Sequence, residues 1–395
     1  MRGVDNMKYL EIAKNEVRNN LCKFNCIYIY GAGIESVKII SLLRRMQINI
    51  GGIVVSTKKN NPDILEGIQV YVFSDLIDSQ IKNSAFVIAT SKKYREDIKQ
   101  ILNNNGAENV YVICKEVWEQ SRNNPKLEIT AQIGCAINCK YCPQKMLINS
   151  YYQSDKDRLQ TMSFDNYKEC LLHIPKNTLI SFSGFVEPFF HPNAVEMMTY
   201  ANEQGFNLEL FTTFMGLKFE DYLKIREIPF KQVVLHTPDI KKYANICMTD
   251  EYNLILNDAL NYTRQDGLPL IDSANCQSEP SYEFLELAND RIQVISALID
   301  RAGNLEGDNL KSSGYLKGKI VCNRSKDFNH WVLLPDGTVV LCCMDFGLKH
   351  PIGNLLSNTY EEIMNSAAYI ELRNGLNDEM SDALCRKCSS ARIVG

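Results

Sequence analysis

Three cysteines on one short loop, Gly134-Cys135-Ala136-Ile137-Asn138-Cys139-Lys140-Tyr141-Cys142-Pro143, constrain this chain more than any other feature. They follow the apolar run LEITAQIG (127–134), which places a C-x3-C-x2-C at the exit of a strand. Three thiolates on so compact a loop hold three irons of a 4Fe–4S cube and leave the fourth iron open to an outside ligand. No cysteine occurs between 143 and 169 to close the set. Soft thiolates favour iron–sulfur or zinc over hard cations, and zinc usually takes four closed ligands.

A second set lies near the C-terminus. Cys322, Cys342, Cys343 and the pair Cys385-Arg386-Lys387-Cys388 all fall in residues 315–395. Four of these make a closed set, for a complete 4Fe–4S cluster or a structural zinc site. Cys342 and Cys343 are adjacent, and either can supply the ligand.

Around these loops, apolar strands alternate with amphipathic helices in two series, the pattern of parallel sheets with covered faces. The first series predicts strands at 26–30, 51–56, 69–72, 85–89 and 109–113, with helices after Gly33 and at about 93–104. The second predicts strands at 127–134, 179–182, 207–212, 232–235 and 293–297, with helices at 194–204 and 251–264. The last region predicts short strands at 331–334 and 338–341 about a Pro335-Asp336-Gly337 turn, and one helix at about 359–374. The expected fold class is therefore α/β. It comprises a Rossmann-like parallel sheet over 1–119, a full or partial (β/α) barrel over 127–314 and a small cysteine-rich domain over 315–395, with 120–126 as a polar linker.

The loop at Cys135, Cys139 and Cys142 resembles that of the radical S-adenosylmethionine (SAM) superfamily, whose hallmark is this spacing with an aromatic before the last cysteine. The resemblance implies a 4Fe–4S cluster on those three cysteines, SAM chelating the open iron, and one-electron cleavage of SAM to a 5′-deoxyadenosyl radical. Tyr141 would then pack near the adenine. Ser183-Gly184-Phe185-Val186-Glu187-Pro188 resembles the family's Gly-Gly-Glu-Pro turn, with Phe-Val between Gly184 and Glu187, and implies contacts to the SAM amino group. By the same resemblance Thr212 stands at the SAM ribose and Arg301 at its carboxylate. The order Cys322, Gly337-x4-Cys342, Cys385-x2-Cys388 resembles the SPASM and twitch domains appended to such barrels. It implies one auxiliary 4Fe–4S cluster, and the interval from Gly337 favours Cys342 over Cys343.

The N-terminal Gly31-Ala32-Gly33 resembles the start of a dinucleotide fingerprint, but Ser36 holds the third glycine position and the next strand ends in Ser56-Thr57-Lys58-Lys59 without the acidic ribose partner. A nicotinamide dehydrogenase is disfavoured on that ground. A non-catalytic iron–sulfur electron carrier is disfavoured by the open fourth iron. The first domain resembles modules fused to glycan-modifying enzymes, so the expected substrate is a small polar molecule, a carbohydrate or nucleotide-linked sugar, undergoing oxidation or epimerisation. Modification of a peptide side chain is the alternative. The family resemblance implies electrons from a reducing flavodoxin or ferredoxin.

An epimerase needs a thiol hydrogen donor. Cys247 and Cys276 are the candidates, with Cys276 preferred because Asp272-Ser273-Ala274-Asn275-Cys276 reads as a loop. His191 follows the Ser183–Pro188 turn, and His236 and Asp239, at the end of a strand, are candidates for substrate contact. A formal net charge of −4 with scattered Lys/Arg pairs gives no phosphate track for nucleic acid. No run reaches bilayer length, and the N-terminus lacks the apolar core of a secretory signal, so a cytoplasmic location is expected. There structural disulfides are disfavoured, and 14 cysteines point to metal or catalysis.

Overall fold

The computed structural model describes residues 10–12, 16–46, 48–59, 61–113, 124–153, 155–265, 267–289, 291–292, 294–296, 298–305 and 314–394. They fall into two units: Met1–Glu116 with Thr263–Pro269 and Arg291–Gln293, and Val117–Tyr262 with Leu270–Asp290 and Val294–Gly395. The boundary expected at 119, most of the linker, and Cys114 lie outside the described residues.

The first unit is one sheet built from β1 (Leu10–Ile12), β2 (Ile27–Tyr30), β3 (Ile50–Val55), β4 (Ile64–Leu65), β5 (Ile68–Val72), β6 (Ala85–Ile88) and β7 (Asn109–Ile113). Their order is β1-β7-β6-β2-β3-β5-β4, parallel except for the β4–β5 hairpin. Both faces are covered, which is why β2 is buried at every position. Ile27 and Ile29 feed one core and Tyr28 and Tyr30 the other. The order reverses beside β2. There Gly31 has φ +119°, and a Cβ on it would meet the Ala89 carbonyl oxygen at 2.8 Å. Ser36, at the third glycine position, donates its hydroxyl to the Gly31 carbonyl at 2.7 Å and so secures the turn.

The second unit centres on six parallel strands adjacent in chain order: β8 (Lys126–Ile129), β9 (Leu179–Phe182), β10 (Asn207–Thr212), β11 (Gln232–His236), β12 (Ser273–Cys276) and β13 (Val294–Ser296). Helices connect them, so every strand's C-terminal end emerges on one side. Among the described residues the array does not close on itself. The free edge of β8 pairs instead with β15 (His330–Leu333), in parallel, and β16 (Thr338–Val340) and β17 (Pro351–Asn354) continue antiparallel. The sheet therefore runs without a break across the domain boundary expected at 315. A separate ribbon pairs β14 (Ile320–Cys322) with β18 (Ala391–Ile393), setting Cys322 opposite Ala391.

Two expectations need correction. Residues 273–276 are a strand and not a loop. Their small polar side chains lack β propensity, and pairing on both sides with β11 and β13 imposes the extended form around a fully buried Ala274. The single helix expected at 359–374 is two, Tyr360–Met364 and Ala367–Gly375, because Ser366 stops the first and caps the second by accepting from the Tyr369 amide.

The turn between β15 and β16 depends on Gly337, which has φ +82° and whose added Cβ would lie 2.6 Å from both Asn354 Oδ1 and Leu356 Cγ. Gly337→Ala should therefore cost roughly 1–3 kcal/mol, read as a lower chemical-denaturation midpoint with an unchanged slope.

Candidate metal centres

The Cys135–Cys142 loop sits at the C-terminal end of β8 and is braced from β11's loop. Lys140 N donates to Tyr243 O at 2.7 Å and Asn245 N to Ile137 O at 2.9 Å. Asp239 holds that brace: it accepts from the amides of Tyr243 and Ala244, both at 3.0 Å, and from Ser278 Oγ at 2.7 Å. Its carboxylate is thus a structural support rather than a substrate contact. The sulfurs receive N–H groups, Cys135 from Glu187 N at 3.5 Å and Cys142 from Gln144 Nε2 at 3.4 Å. Burial raises the Cys135 and Cys142 thiols and pushes Cys139 up to about 12, so without metal they stay protonated. Thiols disposed in this way, with amide donors for the thiolate form, fit an iron–sulfur cluster whose binding releases the protons.

Beside the loop, the Ser183–Pro188 turn follows β9. Gly184 has φ +39°, and a Cβ there would stand 2.5 Å from the Ile129 carbonyl oxygen. Glu187 is buried and held from four directions. Thr212 Oγ1 donates to Oε1 at 2.6 Å, Thr213 N and Oγ1 donate to Oε2 at 2.7 and 2.8 Å, and Phe189 N reaches Oε1 at 3.5 Å. Burial nevertheless pushes its carboxyl up to about 7 against those donors. Thr212, expected at the SAM ribose, thus spends its proton on Glu187. Thr213, its neighbour in the stretch Phe211-Thr212-Thr213, joins it on the same carboxylate. Ser183 Oγ donates to Glu128 Oε2 at 3.1 Å. The Tyr141 ring meets Tyr243 edge-on at 5.5 Å, and its amide donates to Gln277 Oε1. Arg301 has φ +51° and its guanidinium lies 5.8 Å from the Phe346 ring.

Strand register sorts the remaining candidates. Cys276 shares a face with Ala274, Leu235, Thr212 and Phe182, and Phe182 packs on Tyr167 of the helix Phe164–Leu172. Its thiol donates to Ser278 O at 2.7 Å. Cys276 therefore faces the helix layer, which goes against the hydrogen-donor expectation. Cys247 is exposed, two residues from the Asn245 brace. His191 bonds Met162 O and the Asn193 amide within its own turn and is structural. His236 lies on the opposite face, open to solvent yet surrounded by protein. Burial and then Arg301 push its imidazole down to about 4.

The C-terminal cysteines converge on one cavity of ≈ 40 Å³ lined by Cys322, Cys342, Cys343, Cys385, Cys388 and Arg324. Burial first, and then Cys343, Cys385 and Cys388, holds the Cys342 thiol well above its usual range. Cys343 instead receives Arg324 Nη1 at 3.2 Å. Cys342 and Cys343 thus both line the cavity, Cys343 with Arg324 as its hydrogen-bond donor. Among the described residues, no three His, Cys, Asp or Glu side chains are grouped to hold a metal ion.

Glu187 makes stability pH-dependent. Its folded value, about 7, lies above the ordinary 4.5, so its contribution is full below 4.5 and is lost as pH rises through about 7. Thermal melts of cluster-free protein should show the stability of wild type relative to Glu187→Gln falling over that interval. A flat difference would refute it.

Residues 322–389 match the family model of SPASM, an iron–sulfur cluster-binding domain. Among solved structures, BtrN in complex with AdoMet and 2-DOIA aligns with TM-score 0.43 at 15% identity, covering 69% of this chain and 94% of that one. Native anSMEcpe with bound AdoMet gives 0.40 at 16%, covering 67% and 86%. Streptococcus suis SuiB bound to precursor peptide SuiA gives 0.43 at 10%, covering 72% and 79%. No curated protein matches the chain in sequence. Among the described residues no helix is long and apolar enough to cross a membrane. Residues 322–389 are thus similar to the SPASM iron–sulfur cluster-binding domain, and here they continue the sheet of an open parallel β/α array.

Proposed function

We propose that this protein is a radical SAM enzyme acting on a small polar substrate, a carbohydrate or sugar derivative, by oxidation or epimerisation. The observation that carries the reading is the joining of the three-cysteine loop to the Ser183–Pro188 turn, through the Glu187 amide on Cys135, at the C-terminal ends of parallel strands. When bound, a 4Fe–4S cluster and SAM supply one-electron cleavage of SAM and hence a radical able to abstract hydrogen. Cys135, Cys139 and Cys142 hold that cluster. The Ser183–Pro188 turn, with Ser183, Gly184 and Glu187, takes the SAM ammonium group, as its resemblance to the family's turn implies. Arg301 offers a planar fork for the SAM carboxylate, Tyr141 stands beside the same loop, and Thr212 acts there through its hydrogen bond to Glu187. Cys322, Cys342, Cys385 and Cys388 hold the auxiliary cluster.

Strand register supports the substrate class. The face opposite Phe182 carries Lys126, Glu128, Ser181, Ser183, Glu209, Phe211, His236 and Asn275. Lys126, Glu128, Ser181 and Glu209 are buried and engaged with their neighbours. The accessible hydrogen-bonding groups of that face, Ser183, His236 and Asn275, suit a polyol better than an apolar molecule. With Cys276 on the other face, net oxidation with the auxiliary cluster as electron acceptor is the better-supported outcome. Electrons from a flavodoxin or ferredoxin, and a nucleotide-linked sugar handled by the first unit, complete the proposal.

Anaerobically reconstituted protein should hold about eight irons, and a Cys135→Ala/Cys139→Ala/Cys142→Ala variant about four, with loss of SAM cleavage to 5′-deoxyadenosine. Cleavage surviving in that variant would overturn the assignment. Eight irons without any cleavage would favour an electron carrier.

A further inference from the structure

Two charged residues that the cluster does not need as ligands stand on the wall of the C-terminal cavity, Arg324 and Glu128. Arg324 Nη1 bonds Cys343 Sγ at 3.2 Å, and its Nη2 lies 3.7 Å from Glu128 Oε1. Glu128 is 3% exposed and has Lys126 Nζ at 3.9 Å, and Lys126 in turn pairs with Glu209. The wall is therefore the end of a line of alternating charges, Glu209, Lys126, Glu128, Arg324, that runs back along the polar face of β8 and β10. Glu209, Lys126 and Glu128 are buried, whereas the Arg324 side chain is 41% exposed. Buried ions are costly, and apolar replacements of a buried pair are often at least as stable, so the line is weak as a stability device. Its end against a cysteine-lined cavity gives it a different use.

We propose that Arg324 and Glu128 set the reduction potential of the auxiliary cluster in opposite senses, Arg324 raising it and Glu128 lowering it. The inference rests on the reading that Cys322, Cys342, Cys385 and Cys388 hold a 4Fe–4S cluster. Reduction of such a cluster adds one negative charge to a poorly solvated cavity, which a neighbouring cation favours and a neighbouring anion opposes. Arg324 suits the part because its guanidinium stays charged at every working pH. Cys343 does not ligate; as the acceptor for Nη1, it keeps the guanidinium turned to the cavity. Through Ser183, Glu128 also touches the turn proposed to bind SAM, so one carboxylate borders both centres.

The test is an anaerobic EPR-monitored redox titration in the Cys135→Ala/Cys139→Ala/Cys142→Ala background, where only the C-terminal cysteines remain to hold a cluster. Arg324→Gln should shift the midpoint to more negative potential and Glu128→Gln to more positive, while Arg324→Lys, which keeps the charge, stays near the background. Iron should remain at about four per chain throughout. A cluster present with both midpoints unmoved, or moved in the same direction, overturns the inference and leaves the cluster assignment standing. A background protein without iron overturns the assignment, and the inference with it. Should Arg324→Gln lose its iron, the sign of the Glu128→Gln shift decides alone: positive supports the inference, zero or negative overturns it.

Discussion

The parallel pairing of β15 with β8 is the constraint on which the second unit depends. Four registered pairs, from His330 opposite Lys126 to Leu333 opposite Ile129, fuse a cysteine-rich C-terminal segment to the first strand of a β/α array. Without that pairing β8 would be an open edge, and an exposed row of unpaired backbone groups is a liability for any sheet. With it, the strand leading into the first cysteine loop also flanks the cavity of the second set. Glu128, on β8, lines that cavity directly.

The pairing also explains why the two cysteine sites share a core. Cys142, Cys342, Cys343 and Cys388 belong to one packed cluster with Phe185, Phe346, Val332 and Val340. The Phe185 and Phe346 rings are 4.6 Å apart, one following β9 and the other in the loop after β16. Such packing fixes the separation of the sites, because close-packed interiors transmit displacement instead of absorbing it. The loop carrying Arg301 is tied to the same framework, since Asn304 Nδ2 donates to the Met344 carbonyl at 2.8 Å.

Polar residues concentrate where the fold makes them expensive. Glu187, Glu128, Glu209 and Lys126 are all buried, and each is ionically paired or hydrogen-bonded. Glu187 is the case in which burial prevails, with a carboxyl near neutral titration despite its donors. Glu128 is the reverse: burial would raise it, but Lys126 and Arg324 outweigh that and hold it below the usual range. The same residue type, on β8 and in the turn after β9, is thus shifted in opposite directions by its surroundings.

Local signals in the sequence determined most of the strands and both cysteine sets. Apolar runs of the right length, such as Leu179–Phe182 and Asn109–Ile113, need only burial to become strands, and clustered thiols need only a soft metal to become a site. What only the tertiary structure decided depended on neighbours distant in the chain. Ser273–Cys276 is a strand because β11 and β13 flank it, and that same register turns Cys276 to the helix layer. That Cys343 has Arg324 as its hydrogen-bond partner, a residue 19 positions away, likewise depends on the fold. Gln277 and Glu128 carried no sequence signal, because a side chain's partner across a sheet is fixed by register and not by its place in the chain.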